Sequence, residues 1–595
     1  MVSFCLLSLN VLAVAFALLA RIKKTDILTL FAKTVFYFFG EYILVSALFF
    51  ALDRFQVNYV LALSLALNVF VGLRFYLKAA ANGPFKLKID PPTSTLYVIL
   101  LVVATVFSFN RFEFFGMGQD QGVYQTKAVE LAYGDASRQL DFTEYGSLES
   151  ENQKAEYREF VSDLLGFDNY DPQKPFLNSS DELSPVSGIF HGIPTFPAIL
   201  ALAISAFGLE NMLVFQTVFY LALLVFALKI CENFKFSKLV GTIVVVAALF
   251  SPVMLWVAKA ALTEMFLALL IGVFIYYLTS DREEDILKST LPVMIFSFFH
   301  ISVYTIIPEI IVLYWLLYLT TRNRTYLKSN YLAMFFFAVG YLFMLYITPT
   351  YSYNNSRVVY FGPLNDYTLI YFTGLALVGC LIANFILGKY FQSFRIRLDK
   401  GKLFDWLVKI AIGGMLVYTA FYGYKLVNGL LEVSNPSQAG YYGKLAGLKN
   451  ISIVSYAYLT GGIILPVVFW KVLTKTKTVL LENKNAAVLF MFLYNVLFTS
   501  TFLRKEMFHY YYYSRYLAPF LLIVVLVFGL YAQKFARKAL VVILVVVSVY
   551  YGYYGYVMIE NDDDSRITYS MIEEIAGEID ENSAVIMANS SLSRL

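Results

Sequence analysis

Long apolar runs recur along most of the chain and are separated by short polar segments. A helix that crosses a bilayer needs about 20 mainly apolar residues, because lipid cannot satisfy open backbone groups. Sixteen runs fit this pattern, and two of them, 288–300 and 305–321, could instead form one span kinked at Pro308. The other fourteen runs are 2–20, 35–52, 57–77, 94–109, 212–231, 239–257, 264–279, 331–348, 367–388, 410–424, 451–470, 485–503, 516–533 and 539–557. The pattern predicts an all-α polytopic membrane protein with about 16 transmembrane helices.

The basic residues orient these spans. If the N-terminus is outside and every run crosses, eight loops face the cytoplasm and hold 28 Lys and Arg, whereas the short outer loops hold nine. Cationic loops resist translocation, so this bias predicts extracytoplasmic N- and C-termini. The eight loops are 21–34, 74–93, 229–238, 280–288, 322–328, 389–402, 471–484 and 534–538.

One outer loop is long. Residues 110–191 carry 15 acidic and six basic side chains, and within them 120–134 has the apolar spacing of an amphipathic helix on the membrane surface. The next segment, 193–208, is apolar but short and opens with Pro194 and Pro197. We expect a juxtamembrane or re-entrant helix there, because a full crossing would put the basic loops that follow on the wrong side. The first extracytoplasmic loop then spans 110–211.

Composition agrees with a membrane protein and excludes some functions. The chain is 59% hydrophobic and 15% charged, against about 25% charged in soluble domains. The formal charge of +4 is too small to indicate a nucleic-acid partner. The three Cys and three His show neither a disulfide framework nor a metal-ligand spacing. The tail, 558–595, is polar and predicts one soluble helix–strand unit, which is too small to fold alone.

Two acidic residues on the outer side are candidates for chemistry. Asp120 lies between Gly118 and Gly122, just past a span, where its carboxylate could accept a proton or hold a divalent cation. The alternative is an ordinary solvated loop acid. Glu264 begins the run 264–279 and could share a cation or an acceptor with Asp120. Its alternative is a place in the first turn of a helix that Thr263 caps.

Basic and polar residues near the outer surface complete the candidates. Arg515 stands on the side where cations are scarce, which suggests that it neutralises an anion such as a lipid phosphate. The alternative is interface anchoring, with the arginine paired to lipid headgroups. His300 and Glu309 lie in or beside spans, where polar groups are costly and often functional. Their alternative is a satisfied hydrogen bond between helices, and His191 has the alternative of an ordinary loop residue.

Four of these local patterns, in this order, resemble the GT-C superfamily of membrane glycosyltransferases, and in particular the branch with protein O-mannosyltransferases and lipid A aminoarabinose transferases. The patterns are Asp120-Gln-Gly-Val-Tyr124, then His191-Gly-Ile-Pro194-Thr-Phe-Pro197 leading to Gly208, then Lys259 with Glu264, and finally Arg515-Tyr516-Leu-Ala-Pro519. The resemblance covers about 94–533. It implies a GT-C-like core over 94–557, and 1–93 is then an N-terminal addition of three spans.

The resemblance also implies a function at the extracytoplasmic face. A sugar would pass from a polyprenyl-phosphate donor to a glycan, lipid or protein acceptor, with inversion at the anomeric carbon. Asp120 would act as base or acceptor-positioning carboxylate, and Arg515 would clamp the phosphate. The other implied site residues are Glu264 as a second catalytic carboxylate, and Lys259, His300, His191, Tyr124 and Tyr516 at the substrate.

The family includes metal-dependent and metal-independent members, so no cofactor is certain and a divalent cation at Asp120 and Glu264 stays open. The chain departs from the family at His300, where a lysine often stands. The bacterial plasma membrane is the expected location, because the resemblance is to bacterial envelope enzymes. Two other functions fit a chain with many spans: a membrane polysaccharide polymerase or ligase, and a transporter or flippase for lipid-linked sugars.

Overall fold

A computed structural model describes most of the chain. The described residues are 1–22, 24–81, 88–91, 95–109, 120–133, 150, 192–348, 366–391, 400–428, 451–475, 482–496 and 514–560. Within these ranges the protein is helical, apart from one pair of three-residue strands. Most of the loop 110–191 and the part of the tail after 560 lie outside the described residues, as does the predicted helix–strand unit in that tail.

Twenty-one α-helices are described in chain order. The first eleven are α1 (Val2–Ile22), α2 (Ile27–Ala51), α3 (Val57–Ala80), α4 (Thr95–Phe109), α5 (Asp120–Tyr133), α6 (Thr195–Phe207), α7 (Val214–Asn233), α8 (Lys238–Leu249), α9 (Pro252–Val257), α10 (Glu264–Leu278) and α11 (Glu283–Lys288). The other ten are α12 (Thr290–Ser297), α13 (Val303–Thr321), α14 (Thr325–Ile347), α15 (Asp366–Tyr390), α16 (Lys400–Val427), α17 (Ser452–Leu459), α18 (Ile464–Lys475), α19 (Asn483–Phe492), α20 (Leu521–Ala532) and α21 (Arg537–Glu560). Two 3-10 helices span Leu209–Asn211 and Ser514–Phe520.

The chain has the helices of an all-α membrane protein, but the predicted count of 16 spans is not confirmed. Among the described residues, nine helices are long and apolar enough to cross a membrane, or ten if a bent pair counts as one span. Each of the sixteen predicted runs coincides with helical structure. Several of these helices, such as α4, α8 and α10, are apolar but shorter than a full crossing.

The predicted runs are shortened by breaks that hydropathy does not reveal. Run 239–257 divides where the Ser251 hydroxyl accepts the backbone N–H of Met254 and so caps a new helix that begins at Pro252. Run 451–470 bends by 111° between α17 and α18, where Gly461 and Gly462 both have positive φ. The weak pair 288–300 and 305–321 forms two separate helices with a break at 298–302.

The eight predicted basic loops meet at one end of the bundle, here called the basic end. Loops 21–34 and 74–93 are adjacent because β1 (Lys24–Asp26) pairs in parallel with β2 (Lys88–Asp90). The other loops are joined by side-chain contacts. Lys229 lies 3.3 Å from Asp26, and Lys484 lies 2.9 Å from the carbonyl of Asn233 and 3.8 Å from Asp281. The remaining contacts are Thr325 with Glu283 (2.7 Å), Arg322 with the carbonyl of Phe391 (2.9 Å) and Lys471 with the ring of Phe535 (5.0 Å). The described residues of all eight loops therefore share one side of the protein.

Both ends of helix α6 lie at the same end of the bundle. At its beginning, the Thr195 hydroxyl donates to the carbonyl of Phe298 at 2.9 Å, at the end of the bundle opposite the basic end. At its other end, the ring of Phe207 packs on Phe4 and Phe215, near the starts of α1 and α7. Both ends of α6 thus lie at this opposite end, here called the site end. The juxtamembrane or re-entrant helix for 193–208 stays a prediction, and Thr195–Phe207 is an apolar helix shorter than a full crossing.

The three N-terminal helices pack on the rest of the bundle. Within this group, Asn68 donates to the side chain of Asn10 at 3.2 Å, which ties α3 to α1. Phe39 of α2 packs on Phe215 and Phe219 of α7, with ring centroids 4.7 Å apart in both pairs. Segment 1–93 therefore shares a hydrophobic core with the helices that follow it.

Candidate functional site

Five segments that are far apart in the sequence meet at the site end. Each contains or adjoins a residue that the sequence singled out. They are the start of α5, the start of α6, the loop 258–263 before α10, the break 298–302 and the 3-10 helix Ser514–Phe520. These segments are far apart in the sequence, and the tertiary fold brings them together.

The loop 258–263 is held in place from α7. The Nε2 atom of Gln216 donates to the carbonyls of Ala260 and Leu262, both at 2.7 Å. Gln216 is almost fully buried, and so is the loop. Buried backbone carbonyls need partners, and a loop between two short helices offers few of its own. This one side chain therefore fixes the loop that carries Lys259 and leads into Glu264.

Glu264 and Arg515 form a buried ion pair at the centre of this region. Arg515 Nε lies 3.3 Å from Glu264 Oε1, and the two side chains are 2% and 3% exposed. Charge-assisted N–H···O contacts are usually nearer about 2.8 Å, so this contact is rather long. The Thr263 hydroxyl donates to Glu264 Oε2 at 3.3 Å.

The structure describes the surroundings of both side chains. Arg515 is buried, which favours a role inside the protein over pairing with lipid headgroups at the surface. Its Nη2 atom donates to the hydroxyl of Tyr516 at 2.8 Å, and the guanidinium lies 4.6 Å from the centre of that ring. Thr263 stands before α10, but its side chain makes no capping bond to the backbone. Glu264 does occupy the first turn of α10, where its charge suits the helix dipole.

Lys259 adds a second buried cation. It is 3% exposed, within the short loop between α9 and α10, and its backbone N–H donates to the carbonyl of Trp256 at 3.0 Å. Among the side chains described in this region, two cations, Lys259 and Arg515, are buried with one carboxylate, Glu264. A charged side chain is costly to bury, so these three positions are candidates for a functional site.

His300 lies in the break between α12 and α13. It is 8% exposed, and its Nδ1 atom accepts the backbone N–H of Ser302 at 3.1 Å. This hydrogen bond is local to the break, whereas the alternative taken from the sequence was a hydrogen bond between helices. The carbonyl of Phe298, two residues earlier, is the acceptor for Thr195 of α6.

Aromatic rings connect α5 to the start of α10. Tyr124 packs edge-on against Phe196 at 5.2 Å, Phe196 against Phe299 at 6.0 Å, and Phe299 against Phe266 at 4.9 Å. Phe266 is two residues past Glu264. Tyr124 is 6% exposed, so it belongs to the packed interface between α5 and α6. Helix α5 begins at Asp120, one turn before Tyr124, and this places the Asp120 backbone at the site end.

Two predicted site residues have no described side chain. His191 lies outside the described residues, and of Asp120 only the backbone is described. No group of three or more His, Cys, Asp or Glu side chains that could hold a metal ion is found in the part of the chain that the structure describes. The divalent cation suggested for Asp120 and Glu264 stays a prediction.

The sequence did not point to Gln216, and it gave no role to Asn495. Both are amide side chains within apolar helical runs. A polar side chain in such a run needs a partner, and this feature of the sequence could have marked both residues. The partner of Gln216 is the backbone of the loop 258–263, and that of Asn495 is Glu309 of α13. Neither pairing is visible in a local pattern.

Comparison of the chain with protein-family models, with curated proteins and with solved structures finds no match.

Proposed function

We propose that this protein transfers a sugar from a polyprenyl-phosphate donor to an envelope acceptor, which is a glycan, a lipid or a protein, on the extracytoplasmic side of the membrane. The observation that carries the proposal is the buried Glu264–Arg515 pair, with Lys259 buried in the loop that leads into Glu264. These residues lie at the end of the bundle opposite the basic loops. The resemblance of four sequence patterns to GT-C glycosyltransferases names the reaction, and all four patterns have segments at this end.

The chemistry of such a transfer needs cations more than acids. A phosphate leaves the anomeric carbon readily once its charge is stabilised, and preorganised buried cations are well suited to this. Arg515 would bind the donor phosphate by exchanging its long contact with Glu264 for a shorter, charge-assisted one. Lys259 would supply the second positive charge. Glu264 would hold Arg515 in place while no donor is bound.

The acceptor hydroxyl is a poor nucleophile and needs a base. Asp120 begins α5, whose next turn packs on α6 through Tyr124 and Phe196. A carboxylate at this position would take the hydroxyl proton as the oxygen attacks the anomeric carbon from the side opposite the phosphate. The bond from the sugar to the phosphate oxygen breaks as the new glycosidic bond forms, and the lipid phosphate carries away the electron pair.

A transporter or flippase for lipid-linked sugars is the second candidate, and one observation favours it. The helices break at 298–302 and again between α17 and α18, and discontinuous helices often form substrate sites in transporters. The sequence shows no half-to-half symmetry, which transporters with inverted repeats have. We therefore place transport second.

One substitution separates the two candidates. The chain and its Asp120→Asn variant are expressed, and membranes are supplied with radiolabelled polyprenyl-phosphate hexoses and pentoses. We expect the unmodified chain to move label into an acceptor and Asp120→Asn to lose at least about a hundred-fold in rate, since general base catalysis typically contributes 10²–10⁴-fold. Glu130→Gln is the matched control, because Glu130 lies on the same helix and pairs with Lys127 at the protein surface.

Three results would count against the proposal. If no donor gives label transfer above membranes that lack the chain, the transferase function fails. If labelled donor crosses the membrane without any transfer, the transport function replaces it. If Asp120→Asn keeps the rate of Glu130→Gln, the chain is a transferase whose base lies elsewhere.

A further inference from the structure

The 3-10 helix Ser514–Phe520, which carries Arg515, is unusually long. It runs for seven residues, whereas 3-10 runs beyond about three or four residues are uncommon, because their hydrogen bonds have poorer geometry than those of an α-helix. It leads directly into α20, which begins at Leu521. A local feature must therefore prevent α20 from starting several residues earlier.

Pro519 is a feature of this kind. It lies inside the 3-10 helix and is buried. In the interior of an α-helix, each backbone N–H donates to the carbonyl four residues earlier, and a proline there lacks the N–H and presses its ring against that carbonyl. The residue four positions before Pro519 is Arg515. Pro519 therefore disfavours any α-helix that includes Arg515.

The two helix types would place Arg515 differently. Helix α20 is almost entirely buried and packs on α8, α18 and α19, so its own position is fixed. Measured from Leu521, an α-helix that continued back to Arg515 would differ from the 3-10 helix by about 120° of rotation and about 3 Å along the axis, because a 3-10 helix has fewer residues per turn and a larger rise per residue. Arg515 Nε lies 3.3 Å from Glu264 Oε1 in the 3-10 form. A rotation of this size would direct the guanidinium away from Glu264.

The helices around this segment fit the 3-10 form. The 3-10 helix packs on α9, α10 and α17. Residues three positions apart lie on one side of a 3-10 helix, so Arg515 shares a side with Ala518, and Ser514 shares another with Leu517. All four residues are buried. Both sides are thus enclosed by protein, and the backbone form of the segment sets the direction of the Arg515 side chain.

We propose that Pro519 is a positioning residue. By keeping Ser514–Phe520 in the 3-10 form, it directs the guanidinium of Arg515 toward Glu264. Pro519 has no assigned contact with a substrate, and it acts only through Arg515. The consequence for sugar transfer rests on the proposed function, in which Arg515 binds the donor phosphate. The consequence for the ion pair does not.

A double-mutant cycle tests the positioning without any assay of transfer. Glu264→Leu, Arg515→Met and the double variant are made in the chain with Pro519 and again with Pro519→Ala, and the free energy of unfolding of each is measured in detergent. With Pro519, we expect the two single substitutions together to cost more than the double variant, because residues in contact are coupled. With Pro519→Ala, we expect this coupling to be lost, since the two charges no longer meet. Equal coupling in both backgrounds would overturn the proposal.

Two further variants separate the backbone effect from a loss of packing. Pro519→Val regains the backbone N–H and keeps most of the side-chain volume, so it should lose the coupling as Pro519→Ala does, and it serves alone if Pro519→Ala does not fold. Pro308→Ala is the matched control, because Pro308 also lies inside a helix, α13, at an exposed position. In that variant the coupling between Glu264 and Arg515 should keep its full value. If Pro519→Val keeps the coupling, or Pro308→Ala loses it, the proposal fails.

Sugar transfer gives a second readout. Pro519→Ala should lower the rate of transfer about ten- to a hundred-fold in the protein that remains folded, since small misplacements of catalytic groups have effects of this size. Pro308→Ala should keep the normal rate. A normal rate in Pro519→Ala together with a lost coupling would leave the positioning intact and remove Arg515 as the phosphate-binding group. If no donor gives transfer with the unmodified chain, the proposed function fails, and the double-mutant cycle still decides the role of Pro519.

Discussion

Arg515 Nε lies 3.3 Å from Glu264 Oε1, and both side chains are closed off from solvent. A buried ion pair is weak support for stability, because the desolvation of two charges offsets their attraction. Apolar side chains of similar volume would often pack as well. We therefore attribute the Glu264–Arg515 pair, with Lys259 in the adjoining loop, to a ligand that uses these charges rather than to folding.

The first prediction separates these two explanations. Glu264→Ala or Arg515→Ala alone should destabilise the protein by about 3–5 kcal/mol, because each leaves an uncompensated buried charge. The double variant Glu264→Leu with Arg515→Met should recover most of that stability, since it removes both charges. The measurement is the free energy of unfolding in detergent, followed by tyrosine and tryptophan fluorescence.

Transfer activity should not recover with stability. We expect the double variant to fold and still transfer no sugar, because the cation that binds phosphate is gone. Lys in place of Arg515 should keep part of the activity, since it keeps the charge and loses the planar fork. A double variant that folds and transfers sugar at the normal rate would make the pair purely structural.

The second prediction concerns Gln216, which positions the loop without being proposed to touch the substrate. Gln216→Met removes the donor to the carbonyls of Ala260 and Leu262. Each unsatisfied buried carbonyl costs about 1–3 kcal/mol. A displaced Lys259 should lower kcat by about ten- to a hundred-fold, since small misplacements of catalytic groups have effects of this size.

The control for Gln216 is its neighbour. Thr217 donates to the carbonyl of Ser108 at 3.0 Å, in α4 and away from the loop. Thr217→Val should lower stability and leave kcat unchanged in the protein that remains folded. If Thr217→Val and Gln216→Met lower kcat equally, the role of Gln216 is general stability rather than the placement of the loop.

The third prediction tests the packing that shapes the break at His300. A Cβ atom at Gly340 in α14 would lie 2.6 Å from Ser297 Cβ and would also press on the Ser297 carbonyl, at the end of α12. Gly340→Ala should therefore cost about 1–3 kcal/mol by overpacking. Gly374→Ala, in α15, meets no atom within 4 Å and should be neutral or slightly stabilising. Equal melting temperatures for the two variants would contradict the close approach of α14 to α12.

Hydropathy predicted the helices well and their interruptions poorly. Each of the sixteen apolar runs is mainly helical where described, as expected where a backbone buried in lipid needs helical hydrogen bonds. The breaks at Ser251 and at 298–302 depend on capping and on contacts from other helices, such as Thr195 to Phe298. Average hydropathy contains neither kind of information. Ser251-Pro252 and Gly461-Gly462 are both local signals of a break, because the first pair suits a helix N-terminus and the second allows positive φ.

The pairing of the candidate site residues was not predicted from the sequence. Glu264, Lys259 and Arg515 were each singled out from sequence, and the structure buries all three at one end. The sequence interpretation gave Glu264 a partner in Asp120 and gave Arg515 a lipid phosphate. Their contact with each other joins residues far apart in the chain, and only tertiary packing determines it. The amide partners Gln216 and Asn495 were missed for the same reason.

The last prediction tests which side of the membrane the site occupies, on which the proposed function depends. The eight loops at the basic end hold 28 Lys and Arg, and such loops stay in the cytoplasm. In a background without Cys5, Cys231 and Cys380, a membrane-impermeant maleimide should label Ser150→Cys in intact cells, because residue 150 belongs to the outer loop in this orientation. Asp281→Cys, at an exposed position of the basic end, should be labelled only after permeabilisation. The reverse pattern would place Glu264 and Arg515 at the cytoplasmic face, where a transferase acting on extracytoplasmic acceptors could not use them.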